Sequence, residues 1–404
     1  MARTQATLPG GARLSDYMSV NVISRFYPRE VVCSALSSGG QESRRRRDLP
    51  AEVMVYYVIV MALFRSVSTR EVLRCLVDGL RWSCADLPMR VSGKSSISRA
   101  RSRLGAAPFS ALRERCVVPL ATRETVGSWY RGWRLVAFDG STLNLPDEVR
   151  NREKFGLPAS SRGDSAFPQA RVTMMVELGT RAALAWTAGP FRESEAEQAE
   201  RLLDEFSPGM LVLADRYYCG FPLWSRAVET GADLLWRLRG NHAFPVHEAL
   251  TDGSWRSVIR GSGRDRRKST GERPIRIIAY RFDGRDEIYR LATTILDPEQ
   301  APAEELAALY HERWEIETTY DEIKTHLLGP GAILRSKTPE LVYQEIDGLM
   351  LAHYAVRRLI HEAAGTARED PDRLSFVHAT RVMRRRIVQP GGFPPRASDR
   401  LSDP

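Results

Sequence analysis

The chain has 404 residues, 43% hydrophobic and 27% charged, the balance of a folded globular protein and not of a disordered or fibrous one. Lysine and arginine outnumber aspartate and glutamate by 59 to 50, a formal charge of +9 with an isoelectric point near 9.5, which suits a phosphate-backbone partner without requiring one. Five cysteines (Cys33, Cys75, Cys84, Cys116, Cys219) without CxxC spacing argue against a disulfide framework or zinc module and for a reducing cytoplasm.

No apolar leader opens the sequence. Residues 1–50 read as a basic arm with scattered glycine and serine, ending in Arg44-Arg45-Arg46-Arg47 before Pro50. Such a like-charge block serves equally as a solvated loop or a backbone-gripping arm. Residues 51–130 read as a helical domain. Its first helix, about 51–64, holds the longest apolar run, Val53 to Phe64, which is too short to span a bilayer and predicts a buried core helix with no membrane association. A second helix starts at Ser68, where Glu71 three residues on completes a capping box. A third, about 94–104, carries Lys94, Arg99, Arg101 and Arg103. Short helices with a basic last member fit a helix-turn-helix-like DNA reader or an ordinary helical subdomain with a charged face.

The texture changes at Trp133. Leu135–Phe138 reads as a strand running into a loop at Asp139, and 170–178, 181–189 and 233–239 follow as strands. MLVLA before Asp215 is a continuous apolar run, as expected of a strand buried on both faces. With helices at about 195–206 and 221–230, residues 131–245 form the first part of a mixed α/β sheet core. Residues 246–298 alternate β-rich runs (275–282 and 287–295) with a basic stretch at 261–273 and read as a β-rich insertion. Residues 299–365 return to the core through a long helix, about Ala303–Leu328, and a second at about 339–363. Residues 366–404 form a basic tail with Arg384-Arg385-Arg386, loose at its end.

Asp139 and Asp215 each follow an apolar strand, where catalytic groups of open α/β sheets gather. Most such aspartates cap turns; two of them raise the question of a third carboxylate. On the long helix, Arg313, Glu317 and Lys324 fall about 300°, 340° and 320° around from Tyr310, a stripe about 60° wide. Leu309, Ile316, Tyr320, Ile323 and Leu327 fall at about 220–280°, so the polar stripe borders the buried face. A plain ladder of ion pairs explains this stripe as well, and the surrounding Glu312, Glu315, Asp321 and Glu322 make charge look inexpensive on this helix.

Tyr310, Arg313, Glu317 and Lys324, with gaps of two, three and six residues, match the Y-R-E-K signature, and the chain from about residue 15 to 360 resembles bacterial insertion-sequence transposases of the IS-four type. FDGSTLNLP around Asp139 and LADRYYCGF around Asp215 extend the resemblance. It implies a ribonuclease H-like mixed sheet core with a β-rich insertion and a helical N-terminal domain. It also implies Asp139, Asp215 and Glu317 as ligands of two Mg²⁺ ions (Mn²⁺ substituting), with Tyr310, Arg313 and Lys324 on phosphates of the transposon end. Tyr289 stands where some relatives place a base-stacking Trp, and Arg237 and Arg239 are further candidate phosphate contacts. Carboxylates suit hard Mg²⁺, and two such ions about 3.5–4 Å apart serve in-line phosphoryl transfer. The implied partners are double-stranded DNA (transposon ends and target) and a second copy of the chain in a synapsed homodimer. The implied product is a 3′-OH that attacks the target, with a hairpin at the excised end as a family expectation, and the implied setting is the bacterial cytoplasm at the nucleoid. FDGSTL also resembles the loop of haloacid-dehalogenase-like phosphatases, but the second aspartate that they require is Ser141 here. A catalytically silent DNA-binding protein, a decayed transposase acting as a regulator, is the alternative from another functional class.

Overall fold

The computed structural model describes residues 21–42, 49–83, 92–160, 163–240, 244–261, 271–281 and 287–385. The Arg44–Arg47 run lies outside them. Within the expected basic arm the chain is helical: α1 (Asn21–Phe26) and α2 (Arg29–Ser38) bury Ile23, Phe26, Tyr27, Val32 and Leu36. Ile23 and Phe26 stand three apart in α1, and Val32 and Leu36 four apart in α2, a helical period that the surrounding glycines and serines obscure, with Tyr27 buried in the turn between them. α3 (Ala51–Leu63) is buried on all sides from Val53 to Leu63, as the apolar run predicts. α4 (Thr69–Ser83) starts where expected, the Glu71 amide donating to Ser68 Oγ at 3.2 Å. α5 (Lys94–Leu104) and α6 (Ala107–Cys116) complete the helical region.

The strands are β1 (Trp129–Tyr130), β2 (Trp133–Asn144), β3 (Ala159–Ser160), β4 (Gly163–Asp164), β5 (Gln169–Glu177), β6 (Ala182–Pro190), β7 (Met210–Ala214), β8 (Asp233–Arg237), β9 (Glu248–Ala249), β10 (Trp255–Arg260), β11 (Glu272–Arg281) and β12 (Ile288–Thr293). The helices among and after them are α7 (Val149–Phe155), α8 (Glu195–Glu200), α9 (Phe221–Glu229), α10 (Ala303–Leu309), α11 (Trp314–Asp321), α12 (Pro339–Ala367) and α13 (Phe376–Arg385). One sheet runs in the order β6-β5-β2-β7-β8-β12-β11-β10-β9. Its first three strands are antiparallel, and β7 and β8 then add parallel to β2. That arrangement, third-second-first-fourth-fifth among the core strands, is the ribonuclease H-like order. The β-rich stretch continues the same sheet, β12 pairing antiparallel with β8 through Leu291 and Arg237.

α12 is the axis of the helical side. At 29 residues it is about 43 Å long, and the N-terminal helices close around it. Tyr27 Oη donates to Leu351 O at 2.6 Å, and Arg101 donates to Gln344 Oε1 at 2.8 Å and Ser336 Oγ at 2.9 Å. Arg101 is therefore a buried tie within the core, while Lys94, Arg99 and Arg103 stay exposed. The tail is ordered further than its composition predicts: α13 buries Phe376 and Met383, and Arg384 Nε donates to Leu63 O at 2.6 Å. Among the described residues no helix is long and apolar enough to cross a membrane, and Cys33, Cys75, Cys116 and Cys219 form no disulfide.

The α3–α12 crossing depends on Gly348. A Cβ there would stand 2.6 Å from Val58 Cγ1 and 2.8 Å from Val58 O. Since the backbone cannot yield as a side-chain tip can, Gly348→Ala is expected to destabilise the protein by about 1–3 kcal/mol. A denaturant midpoint equal to wild type would contradict this.

Candidate active site

β2 and β7 run parallel as far as Ala137 and Leu213. There they part: β7 ends at Ala214, while β2 continues against β5 from Asp139 (opposite Met174) to Asn144 (opposite Gln169). Asp139 thus sits inside an unbroken strand, not in the expected loop, because β5 supplies its ladder bonds after β7 has ended. Asp215 follows the end of β7. The two aspartates occupy the mouth of a fork between neighbouring strands.

The helical segment that carries Glu317 crosses this mouth. Two tyrosines lock it there. Tyr310 Oη donates to Ala214 O at 3.0 Å, the carbonyl just before Asp215, and Tyr320 Oη lies 2.8 Å from Asp139 O and 3.0 Å from Val172 O. The segment is not one uniform helix: a 3₁₀ turn (Tyr310–Arg313) joins α10 to α11, and a π-helical stretch (Glu322–Leu327) follows. Tight and wide turns displace side chains from their places on an ideal wheel. Tyr310 is accordingly 7% exposed, with its hydroxyl bonded to the carbonyl at the β7 end. Arg313 Nη2 donates to Glu317 Oε1 at 2.8 Å and Nη1 to Asp139 Oδ2 at 3.3 Å, so one guanidinium bridges two of the three carboxylates. Lys324 Nζ lies 3.1 Å from Ser141 Oγ on β2.

Burial raises the Asp139 pKa to about 6. The Gly140 N–H and Arg313 oppose that shift, and the charges of Glu195 and Asp215 add to it. An ordinary aspartate titrates near 3.9, so the folded state holds a proton that the unfolded chain has released. Stability from this group is greatest below about pH 4 and is lost as pH rises toward 6. Asp139→Asn in chelator is therefore expected to melt above wild type at pH 7.5, with the gap closing toward pH 4. A gap independent of pH would show that Asp139 titrates normally.

Composition and motif did not reveal Glu195, Tyr218 and Arg171. Tyr218 Oη stands 3.3 Å from both Asp139 Oδ1 and Glu195 Oε2, and Arg171 pairs with Glu195. The only visible signal was Ser194 with Glu197, which forms a complete capping box and so places Glu195 in the first turn of α8. Farther out, Arg237 and Tyr289 lie side by side across β8 and β12, the guanidinium 4.3 Å from the ring centroid, with Arg237 also 3.1 Å from Glu287. Arg239 donates to Arg216 O and Tyr217 O, bracing the loop after Asp215. The acidic residues of the Glu317 helix also divide in a way the wheel does not show: Glu312 and Asp321 are exposed, whereas Glu315 and Glu322 are buried. Charge is not inexpensive there. Glu322 is gripped by Arg357, and Glu315 accepts the Gly179 N–H at 2.6 Å.

Among the described residues no three His, Cys, Asp or Glu side chains are gathered closely enough to share one ion. The donor set nevertheless suits a hard divalent cation. All three groups offer carboxylate oxygen, and Arg313 already places positive charge between Asp139 and Glu317.

A ribonuclease H-like sheet with two aspartates at a strand fork and a glutamate on the crossing helix defines the class of metal-dependent enzymes that cut and join nucleic-acid strands. The transposase DDE domain family matches residues 131–355, and the N-terminal domain of insertion element 4 transposases matches residues 17–114. The chain belongs to the DDE transposases of the insertion element 4 family and is a DNA-cleaving and strand-transferring enzyme. It is 28% identical to transposase InsG for insertion sequence element IS4 of Escherichia coli (strain K12), over 96% of this chain and 86% of that protein. With the putative transposase InsZ of the same strain it shares 24% identity, over 54% of this chain and 71% of that one. The piggyBac transposase synaptic complex with hairpin DNA aligns over 91% of this chain and 79% of that one, at a TM-score of 0.48 and 11% identity.

Proposed function

We propose that Asp139, Asp215 and Glu317 hold two Mg²⁺ ions, with Mn²⁺ able to substitute, and that this site cuts double-stranded DNA at the ends of an insertion sequence. Bound there, such ions supply a nucleophilic water or 3′-OH and stabilise the leaving oxygen of an in-line phosphoryl transfer. The chain's own residues do the positioning. Arg313 lies between Asp139 and Glu317, where its fork can take the scissile phosphate bidentately once the carboxylates turn to cations. Lys324, at the β2 edge beside Ser141, offers a point charge to a neighbouring phosphate. Tyr310 keeps the end of β7, and therefore Asp215, in place. Arg237 with Tyr289 forms a cation-and-aromatic face beside the site that can hold backbone and base of the transposon end. The freed 3′-OH then attacks target DNA. Two ends must be held together for this, which supports a homodimer on DNA, acting in the cytoplasm at the nucleoid.

The observation that carries this reading is the Arg313 bridge: a guanidinium poised between two carboxylates at a strand fork. The test is cleavage of a duplex bearing the element's own end by the full chain. Nicking in Mg²⁺ or Mn²⁺ that stops in chelator is the expected result. Tight binding without cutting in either ion would overturn it in favour of a silent DNA-binding protein.

A further inference from the structure

Glu195 has no part in the family's triad, yet its carboxylate shares a hydroxyl with Asp139. Tyr218 Oη is 3.3 Å from Asp139 Oδ1 and 3.3 Å from Glu195 Oε2. A phenol has one proton to donate, so at any moment it satisfies one of these two carboxylates and leaves the other facing a lone pair. The outer oxygens are already taken: Arg171 holds Glu195 Oε1, and Arg313 donates to Asp139 Oδ2 at 3.3 Å. Asp139 Oδ1 also accepts the Gly140 N–H at 2.8 Å, so of the inner pair it is Glu195 Oε2 that depends most on where the Tyr218 proton points. Each carboxylate has its own arginine, and the one hydroxyl between them can donate to only one at a time.

The close approach is built into the backbone. A Cβ on residue 140 would stand 2.8 Å from Glu195 Cγ and 2.9 Å from Cδ. Gly140 is not among the residues of positive φ, so its backbone does not call for glycine, and the room it leaves admits Glu195 together with the Tyr218 hydroxyl, which a Cβ would approach to 3.2 Å. Tyr218 is itself held in place, its ring packed edge-on against Phe138 at 4.6 Å between centroids.

We propose that Glu195 is a positioning residue of the cation site. Its carboxylate accepts the hydrogen bond of the still-protonated Tyr218 hydroxyl when a divalent cation binds Asp139, so that Asp139 Oδ1 turns toward the ion. This rests on the assignment of Asp139 as a cation ligand. In the metal-free protein the hydroxyl is shared; in the cation-bound protein it donates to Glu195 alone. A glutamine at 195 would instead offer an amide N–H to the phenol oxygen, turn the hydroxyl proton onto Asp139, and set it in competition with the ion.

The test is Mn²⁺ binding by the full chain, with free ion counted by electron paramagnetic resonance. Glu195→Gln is expected to weaken Mn²⁺ about fivefold in the presence of Tyr218, the size of a contact-range coupling. In a Tyr218→Phe background, where no proton competes, the same substitution is expected to change affinity by less than about twofold. Gly140→Ala, whose Cβ would crowd Glu195 at 2.8 Å and the Tyr218 hydroxyl at 3.2 Å while leaving both groups chemically intact, is expected to weaken Mn²⁺ in the same direction; wild-type Mn²⁺ affinity in a folded Gly140→Ala protein also counts against the proposal. Wild-type affinity in Glu195→Gln, or an equal loss with and without Tyr218, overturns the proposal. If Asp139→Asn also binds Mn²⁺ like wild type, the cation assignment itself has failed, and the two failures are told apart.

Discussion

Glu317→Ala and Asp215→Ala are each expected to lower strand cleavage about a thousandfold or more while leaving affinity for end DNA within a few fold, as gel-shift and nicking assays on one duplex would measure. A thousandfold corresponds to about 4 kcal/mol of transition-state stabilisation, within the range for removing one charged partner of a phosphoryl-transfer centre. Folding cannot account for a loss of that size at Glu317. Its side chain is 37% exposed, and its ion pair is the i,i+4 contact with Arg313, worth only about 0.2–0.5 kcal/mol. Asp215 stands just beyond β7, whose end is already held by Tyr310 through Ala214 O. An alanine there removes a carboxylate and leaves that tie intact. Cleavage by either variant at the wild-type rate would remove the residue from the catalytic set; loss of binding and cutting together would give it a role in DNA grip.

Arg357→Ala is expected to cost about 3–5 kcal/mol of stability, read from the shift in denaturant midpoint. The ion pair it breaks lies in the interior: Glu322 and Arg357 have side chains 4% and 0% exposed, and Arg357 Nε donates to Glu322 Oε2 at 2.8 Å. His353 Nε2 is also 2.9 Å from that carboxylate, but burial lowers the histidine pKa to about 3, so near neutral pH it offers a hydrogen bond and no charge. Arg181 stands 3.9 Å away and is already committed to Asp372 at 3.0 Å. Removing Arg357 thus leaves Glu322 buried without its principal countercharge. Replacing both partners with leucine is expected to recover much of the loss, since the cost lies in the orphaned charge rather than in the missing pair. A single-mutant loss below about 1 kcal/mol would mean that water reaches Glu322. The consequence extends to the site, because Glu322 opens the π-helical stretch that carries Lys324 toward Ser141.

Much of this molecule follows from local pattern. Apolar runs before Asp139 and Asp215 specify strands buried on both faces, although β2 stays in the sheet past Asp139 and only its parallel partner ends near that point. The continuous apolar stretch of α3 specifies a helix buried on every side. The spacing of Tyr310, Arg313, Glu317 and Lys324, matched to a known signature, is enough to name the chemistry, since phosphoryl transfer restricts which residue types can serve.

What the sequence alone left undecided was how each of these residues is used, because that depends on partners far along the chain. Tyr310 turns inward because the carbonyl before Asp215 lies above it, 96 residues away in sequence, and a helical wheel knows nothing of that carbonyl. Glu315 and Glu322 are indistinguishable from Glu312 by composition. Only the packing of α12 and the Leu178–Arg181 turn against their helix buries them and makes their charges structural. Glu195 reaches Asp139 only where Gly140 leaves room. Periodicity reports which face of an element is apolar. The approach of two distant backbones decides which polar group on that face meets a partner, which meets solvent and which is left to meet a cation.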